Sequence, residues 1–229
     1  MKTFAIQAKQ ASRIAEIRAK AEARGLLYDE TDPSFIISVG GDGTFLAAER
    51  EFPGIPKLAV RDSLVCFKCH NEPLDEMLAI IGSGKWKVMS TAKLRCVVAG
   101  RDLLATNDVV VRNRDPRHAL RFRIFIDGKE FDEEFIGDGI VAATPFGSTG
   151  YYRSITRTSF EQGIGVAFNN CAGTTKPLRL DENMTLDVQI ARSDAHLSVD
   201  NHPELLILSR GDSALVRKAE QETQLVGHQ

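Results

Sequence analysis

The chain has 229 residues, of which 43% are apolar and 26% charged, with a formal net charge of −2. That length carries one large domain or two small ones with a real core, and the near-neutral charge gives no global pull toward nucleic acid or an anionic membrane. No apolar run reaches the roughly 18–20 residues of a membrane span, and the start Met1-Lys2-Thr3-Phe4-Ala5-Ile6 is too short for the apolar region of a signal peptide. The expectation is a cytoplasmic protein with no nucleic-acid or membrane partner.

In chain order, Thr3 to Gln7 predicts a short first strand. From Ala8 to Arg24, residues Ala11, Ile14, Ala15, Ile17 and Ala21 recur at helical spacing, and Gly25 stands where a left-handed cap ends a helix. Phe35-Ile36-Ile37-Ser38-Val39 is a continuous run of β-formers, the pattern of a strand buried on both faces. Gly40-Gly41-Asp42-Gly43-Thr44 follows at once, and then Phe45, Leu46, Glu49 and Phe52 begin a helical period. Lys57-Leu58-Ala59-Val60 predicts another strand. Asn71 is placed to cap a helix over Pro73–Ile81, where Leu74, Met77, Leu78 and Ile81 share one face. This β-α-β-turn-α order implies a parallel sheet with crossover helices.

After Gly82-Ser83-Gly84 the period changes. Trp86–Met89, Leu94–Ala99, Val109–Val111, Leu120–Ile126 and Ile140–Ala143 are short β-type runs, and Asp127-Gly128 is a hairpin turn. Leu186, Val188 and Ile190 alternate with polar residues; Leu197–Val199, Leu205–Leu208 and Ala214–Val216 are further strand candidates. The fold class is therefore α/β with a parallel sheet over residues 1–92 and a mainly antiparallel, β-sandwich-like part over 93–209. The tail 210–229 either ends the second part or packs back on the first.

Four cysteines stand at positions 66, 69, 96 and 171. Cys66-Phe67-Lys68-Cys69-His70 formally matches a c-type haem attachment site, but no export signal accompanies it. A zinc site would want a second ligand pair, and Cys96 and Cys171 are single and distant. Reduced thiols are expected, with a redox dithiol the weaker reading.

Two glycine-containing turns carry the chemistry. In Gly40–Thr44, glycines let the backbone turn sharply and let an anion approach main-chain N–H groups, while the following helix N-terminus favours negative charge. Phosphate is the expected ligand. Asp42 is then the odd residue, because a carboxylate repels phosphate unless it takes a proton or orients a hydroxyl. Read alone, the same five residues are equally a plain strand-to-helix turn. The second stretch runs from Gly137-Asp138-Gly139 through a strand to Thr144-Pro145-Phe146-Gly147-Ser148-Thr149-Gly150-Tyr151. Its small hydroxyl residues and phenol suit a ribose, an amide or a diphosphate, or else merely cap a helix. Between the two lies Asn107-Asp108, which is ordinary turn chemistry unless it holds a base edge and a sugar hydroxyl.

Together these three stretches resemble the NAD kinase family. That family carries Gly-Gly-Asp-Gly-Thr after a buried strand, matched by Gly40–Thr44. It has an Asn-Glu pair before a strand, matched by Asn107 with Asp108 in place of Glu. It has Asp-Gly, a strand and Thr-Pro-Thr-Gly-Ser-Thr-Ala-Tyr, matched from Asp138 to Tyr151 with Phe146 and Gly150 as departures. The likeness runs from about residue 1 to 217. It implies phosphoryl transfer from ATP or polyphosphate to the 2′-hydroxyl of the adenosine ribose of NAD. It also implies a phosphate-binding front domain, an NAD-binding rear domain with NAD in the cleft between them, and a homodimer or homotetramer.

By the motif match, Asp42 is the catalytic acid/base, and Gly40, Gly41, Gly43 and Thr44 shape the phosphate site. Asp42, Gly43, Phe67, Asn107, Asp108, Asp138, Ser148, Thr149, Gly150, Tyr151 and Ser154 contact NAD. Mg²⁺ arrives with the phosphoryl donor, and no dedicated protein metal site is expected. The family's Gly-Ile-Asn, Gly and Leu-Gly-Phe-Leu read here as Ala59-Val60-Arg61, Ser63 and Val65-Cys66-Phe67-Lys68, and its Ser-Ala-Gly-Gly run reads Arg153-Ser154-Ile155-Thr156-Arg157. These departures leave two alternatives open: a catalytically silent nucleotide-binding protein on the same fold, and a kinase of another adenosine-containing or lipid acceptor.

Overall fold

The computed structural model describes residues 3–64, 66–173 and 176–228. Val65, matched above to a family leucine, lies outside the described residues. The chain divides into two compact units, Met1–Thr91 with Glu222–Gln229, and Ala92–Gln221.

The first unit is a parallel sheet with helices on both faces. Strand β1 (Thr3–Ala8) leads through a turn of 3-10 helix to α1 (Ile14–Glu22) and the short β2 (Leu27–Tyr28). Then come β3 (Phe35–Gly40), α2 (Asp42–Glu51), β4 (Lys57–Arg61) and α3 (Leu74–Ser83). The order across this sheet is β2-β1-β3-β4, all parallel, and the chain's end joins it through Leu225 beside Lys57. Every residue of β3 is buried, and its alternation explains the unbroken apolar run. Phe35, Ile37 and Val39 face Ile17, Ala21, Leu74, Met77 and Leu78 of α1 and α3, whereas Ile36 joins Ala5 and Ala48 on the α2 side. Glu49 and Lys57 form an ion pair within this core, 3% and 0% exposed. Such a pair tolerates burial because each charge answers the other and both have further hydrogen bonds, Lys57 Nζ to Phe52 O and Gly54 N to Glu49 Oε1.

The helix ends follow the expectation only in part: Pro73, not Asn71, is the N-cap of α3, and no side chain caps it. Gly25 has φ +80° beyond α1. Pro73 precedes α3 with φ −60°, a torsion its ring imposes, and there its missing N–H costs no helix bond.

The second unit is two antiparallel sheets packed face to face. Long β5 (Trp86–Val98) precedes β6 (Arg101–Ala105), β7 (Asp108–Asn113), β8 (Leu120–Ile126), β9 (Lys129–Gly137) and β10 (Gly139–Ala143). A 3-10 turn at Gly147–Thr149 opens α4 (Tyr151–Thr156). Strands β11 (Ile164–Asn169), β12 (Leu178–Leu180), β13 (Leu186–Arg192), β14 (Ala195–Val199), β15 (Leu206–Leu208) and β16 (Ser213–His228) complete the chain. One sheet runs β12-β11-β10-β7-β14-β15; in the other, β13 lies between β16 and β8, and β9 follows β8. Ile140, Ala142, Val109 and Val111 share a core with Phe122, Ile124, Val188 and Val216 of the facing sheet. The other face of β10 and β7, with Val141, Ala143 and Val110, is covered by Tyr152 and Phe160. Asp127 and Gly128 both have positive φ, 50° and 74°, in the hairpin between β8 and β9, the geometry an Asp-Gly turn supplies.

Three further features differ from the sequence expectation. Trp86–Met89 and Leu94–Val98 are parts of one continuous strand, and Ala99, with φ 48°, lies in the turn after it. The tail 210–229 holds the whole of the long β16, whose last part, from Glu222, belongs to the first unit. And Cys66 and Cys69 are joined by a disulfide, where reduced thiols were expected. Cys96 and Cys171 are free. No helix among the described residues is long and apolar enough to cross a membrane.

Candidate active site

In the first unit, β3 ends at Gly40 and α2 begins at Asp42. The turn needs glycine for proximity: a Cβ on Gly40 would lie 2.2 Å from Thr44 Oγ1. The N–H groups of Thr44 and Phe45 donate to Gly41 O at 3.0 and 3.2 Å, closing the first turn of α2. Asp42 therefore stands half-buried in the first turn of the helix, where the macrodipole favours a carboxylate.

Asp42 is not solitary. Its Oδ1 accepts N–H bonds from Phe67 at 3.0 Å and Lys68 at 2.9 Å, and Cys66 Sγ lies 3.1 Å from the same oxygen. The segment that supplies these groups is pinned at both ends. Asp62 N donates to Gly40 O at 2.8 Å, and His70 N to Ala59 O at 2.8 Å. The Asp62 carboxylate meets Arg13 Nη1 at 3.1 Å, and His70 Nε2 donates to Val226 O at 2.6 Å. Arg61 turns back on its own loop, donating to Ser63 O at 3.1 Å and to Leu64 O. Phe67 projects its ring outward, 66% exposed.

Oxygens or sulfurs of Asp42, Cys66 and Cys69 lie within 4.8 Å of one another. That set does not fit magnesium, which asks for about six oxygen ligands; here one carboxylate faces two uncharged disulfide sulfurs.

In the second unit, the polar residues fall into two clusters at opposite ends of β10. At the Ala143 end, Asp108 is the register partner of Ala143. Thr144 N donates to Asn107 O at 2.9 Å, Thr144 Oγ1 to Thr106 O at 2.6 Å, and Gly147 N to Thr144 Oγ1 at 2.8 Å. Gly147 has to be glycine, since a Cβ there would lie 2.0 Å from Asn107 O. The Asn107 segment is held from behind by Asp200. Its carboxylate accepts the N–H groups of Thr106 (2.7 Å), Asn107 (2.7 Å) and Asp108 (3.1 Å). Burial pushes the Asp200 carboxyl above its usual range, against the pull of those three donors and of Lys93. Asn107 Oδ1 is buried and has no hydrogen-bond partner among the described residues.

At the Gly139 end, Asp138 accepts from Asn113 Nδ2 at 3.4 Å and Asn170 Nδ2 at 3.1 Å. The Tyr151 hydroxyl accepts from Asn169 Nδ2 at 3.1 Å, and Asn169 is the register partner of Gly139. The two clusters are about 13 Å apart along β10, at ~3.3 Å per residue. Thus Asn107, Asp108 and Gly147 are brought together, and Asp138 and Tyr151 are brought together at the other end.

Ser148 is 1% exposed. Its hydroxyl donates to Pro145 O at 2.7 Å and accepts from Phe160 N at 3.2 Å, so its side chain holds the loop rather than facing outward. Ser154 is exposed, with its hydroxyl donating to Tyr151 O at 2.7 Å. Thr149 and Gly150 form the link into α4.

The sequence reading missed Asp200. Asp200-Asn201 after the alternating run Leu197–Val199 resembles any turn that follows a strand. Only its φ of +49° and its three N–H partners reveal the role.

One unit is parallel and helix-flanked and carries an acid-bearing glycine turn; the other is antiparallel and carries a strand-end polar loop, an α/β-plus-β class of protein. Residues 106–228 match the family model of the ATP-NAD kinase C-terminal domain, and the chain belongs to the NAD kinase family. It is 28% identical over 208 residues to the bifunctional NADP phosphatase/NAD kinase of Methanococcus maripaludis, covering 84% of this chain and 36% of that protein. It is 35% identical over 131 residues to the NAD kinase of Pyrococcus abyssi, covering 55% and 47%. The NAD kinase of Thermomicrobium roseum is 29% identical over 221 residues, covering 91% and 75%. The chain thus spans about a third and about half of the first two relatives. Among solved structures, an NAD kinase from Archaeoglobus fulgidus in complex with ATP superposes with a TM-score of 0.83 at 20% identity, covering 99% of this chain and 94% of that one. Yeast NADH kinase complexed with NADH gives 0.85 at 19%, covering 100% and 84%. These two likenesses establish the fold.

Proposed function

We infer that the chain is an NAD kinase: it transfers the γ-phosphoryl of MgATP to the 2′-hydroxyl of the adenosine ribose of NAD, giving NADP. The observation that carries this is the buried, unpartnered Asn107 Oδ1, held in place by Asp200. A native interior rarely leaves such an oxygen unmatched, and an adenine amino group is the donor it would accept. Family membership narrows the ligand to an adenine dinucleotide.

The chemistry follows from positioning. The ribose oxygen attacks the γ-phosphorus, the bond to the ADP oxygen breaks, and the hydroxyl proton passes to Asp42. Phosphoryl transfer has a loose transition state, so alignment and charge neutralisation supply most of the rate. The glycine turn and the N-terminus of α2 receive the phosphates. Magnesium enters as part of the donor substrate, consistent with a protein cluster that does not suit it. The exposed Phe67 ring offers a stacking face for adenine. Asp138, Thr149, Gly150, Tyr151 and Ser154 contact the remainder of the dinucleotide. The separation of the Asp138 end from the Asn107 end favours a homodimer or homotetramer in which one copy's Asp138 serves a neighbour's NAD. Polyphosphate as donor and NADH as acceptor are variants of the same reaction.

The test is a donor-by-acceptor matrix read by mass spectrometry, with ATP and polyphosphate against NAD and NADH. The expected product is NADP from ATP and NAD. Saturable NAD binding by calorimetry with no phosphorylated product from any pair would establish the silent binder instead.

A further inference from the structure

We propose that Cys66 and Cys69 form a thiol–disulfide exchange site whose oxidised form locks the Cys66–Cys69 turn onto Asp42 and holds the kinase in a slow state. This rests on the reading of Asp42 as the general base.

Four observations carry it. First, the disulfide closes a turn whose two inner residues, Phe67 and Lys68, both aim their N–H groups at Asp42 Oδ1, at 3.0 and 2.9 Å. Successive N–H groups converging on one point make an anion nest, and here the anion they hold is the side chain that should receive the proton. Second, Cys66 Sγ itself lies 3.1 Å from that oxygen. Oδ1 is therefore already occupied by two donors and a sulfur, and a ribose hydroxyl has to compete with them for it. Third, the outer ends of the loop are fixed independently, through Asp62 to Gly40 and Arg13 and through His70 to Ala59 and Val226. Breaking the disulfide removes the covalent tie across the Cys66–Cys69 turn without releasing those anchors. Fourth, Cys69 is half-buried and Cys66 more enclosed, and Leu64 and Phe67 beside them are 94% and 66% exposed, so a small dithiol meets the bond at Cys69.

The exchange balances simply. A thiolate of an external dithiol attacks one sulfur, the S66–S69 bond breaks, and a mixed disulfide forms. The second thiol of the reductant resolves it. Two electrons and two protons pass to the pair, leaving two thiols on the chain and a disulfide on the reductant. The two N–H donors then lose their covalent organiser, and Asp42 Oδ1 becomes available.

The experiment uses the full chain, oxidised with diamide or reduced with dithiothreitol, with chelator present before assay to remove thiol-bound metal. The pair's state is read by alkylation and intact mass. Burial pushes the Cys96 thiol up to about 12 and the Cys171 thiol up to about 11, so fast labelling at neutral pH reports Cys66 and Cys69. Two readouts are taken: NADP formation, and hydrogen exchange at the Phe67 and Lys68 amides. A general base contributes about 10²–10⁴-fold, so the oxidised chain should turn over at least about tenfold more slowly, with both amides protected and both exchanging faster on reduction. A Cys66→Ser/Cys69→Ser variant should match the reduced rate and ignore diamide. Equal exchange in the two states, or a variant that still responds to diamide, overturns the lock. An oxidised chain as fast as the reduced one overturns it as well. If neither state makes product while exchange still changes, the lock stands and the kinase reading fails.

Discussion

At the carboxyl end of β3 the chain turns through Gly40–Thr44 into α2; at the carboxyl end of β10 it turns through Thr144–Gly150 into α4. Both turns hold glycine at points of close approach and hydroxyl residues beside them, and by composition they look like the same device. They use their polar groups differently. In the second turn the hydroxyls of Thr144 and Ser148 are bound internally, to Thr106 O and Pro145 O, and what is left for a ligand is an atom of a neighbouring segment, Asn107 Oδ1. In the first turn the outstanding polar group is the Asp42 carboxylate, and it too is held, but by a loop 25 and 26 residues away in sequence rather than by its own turn. The composition of a motif thus does not say which of its polar atoms are left over for a ligand.

The largest effect that sharpens this contrast falls on Asp42. Asp42→Asn keeps the shape and an acceptor oxygen but cannot take a proton. NADP formation should fall by about 10²–10⁴-fold, with NAD affinity measured by calorimetry nearly unchanged. A variant that keeps most of its rate would remove Asp42 from the chemistry. Next is Asn107→Ala in the second unit. It deletes a buried oxygen that has no partner among the described residues, so the fold loses no hydrogen bond at that oxygen, whereas the bound state loses one. NAD should bind more weakly by roughly 1–3 kcal/mol while the urea midpoint holds or rises. If stability falls and affinity does not, Asn107 is scaffold.

Much of this architecture is legible in the residues because burial on two faces writes a distinctive pattern. Phe35–Val39 and Ile140–Ala143 are unbroken apolar runs for that reason. Strand β9 was hidden because Lys129–Glu134 is charged and mostly exposed, a strand paired on the described face only with β8, and edge strands of that kind carry charge against mispairing. The far half of β16 was hidden because Glu220-Gln221-Glu222 interrupts its apolar alternation. In the candidate site, Gly40–Thr44, Asn107 and the 138–151 stretch were found because their chemistry is local. Asp200 was missed, and so was the meeting of Cys66 with Asp42, because each depends on contacts between residues far apart in sequence that leave no spacing to read.

Asp200 offers the next test, since it acts on the Asn107 end alone. Asp200→Asn replaces a charged acceptor of three N–H groups with a neutral one, which should cost about 1–3 kcal/mol and raise KM for NAD more than it lowers kcat. The pH dependence carries the sign. Burial raises the folded carboxyl above its unfolded value, so on raising the pH the unfolded chain releases this proton first. The group's contribution to stability is therefore greatest in acid and declines as pH rises from the unfolded value toward the folded one. Urea midpoints of wild type and Asp200→Asn, compared across that window, should differ in slope in that direction; parallel curves would remove the titration from Asp200.

The smallest expected effect belongs to Ser148, and it separates the two uses of a hydroxyl most directly. The family motif places Ser148 among the NAD contacts, yet its hydroxyl joins Pro145 O to Phe160 N beneath the loop. Phe160 in turn seals the outer face of the sheet with Tyr152 and carries the Arg179 guanidinium 3.7 Å above its ring. Ser148→Ala removes one donor and one acceptor from this buried junction and should cost about 1 kcal/mol in chemical denaturation, with NAD affinity within about twofold because that is only ~0.4 kcal/mol. The reverse outcome, a tenfold loss of affinity at unchanged stability, would mean that the loop opens on binding and turns this hydroxyl toward the ligand, and the likeness between the two turns would then be functional as well as compositional.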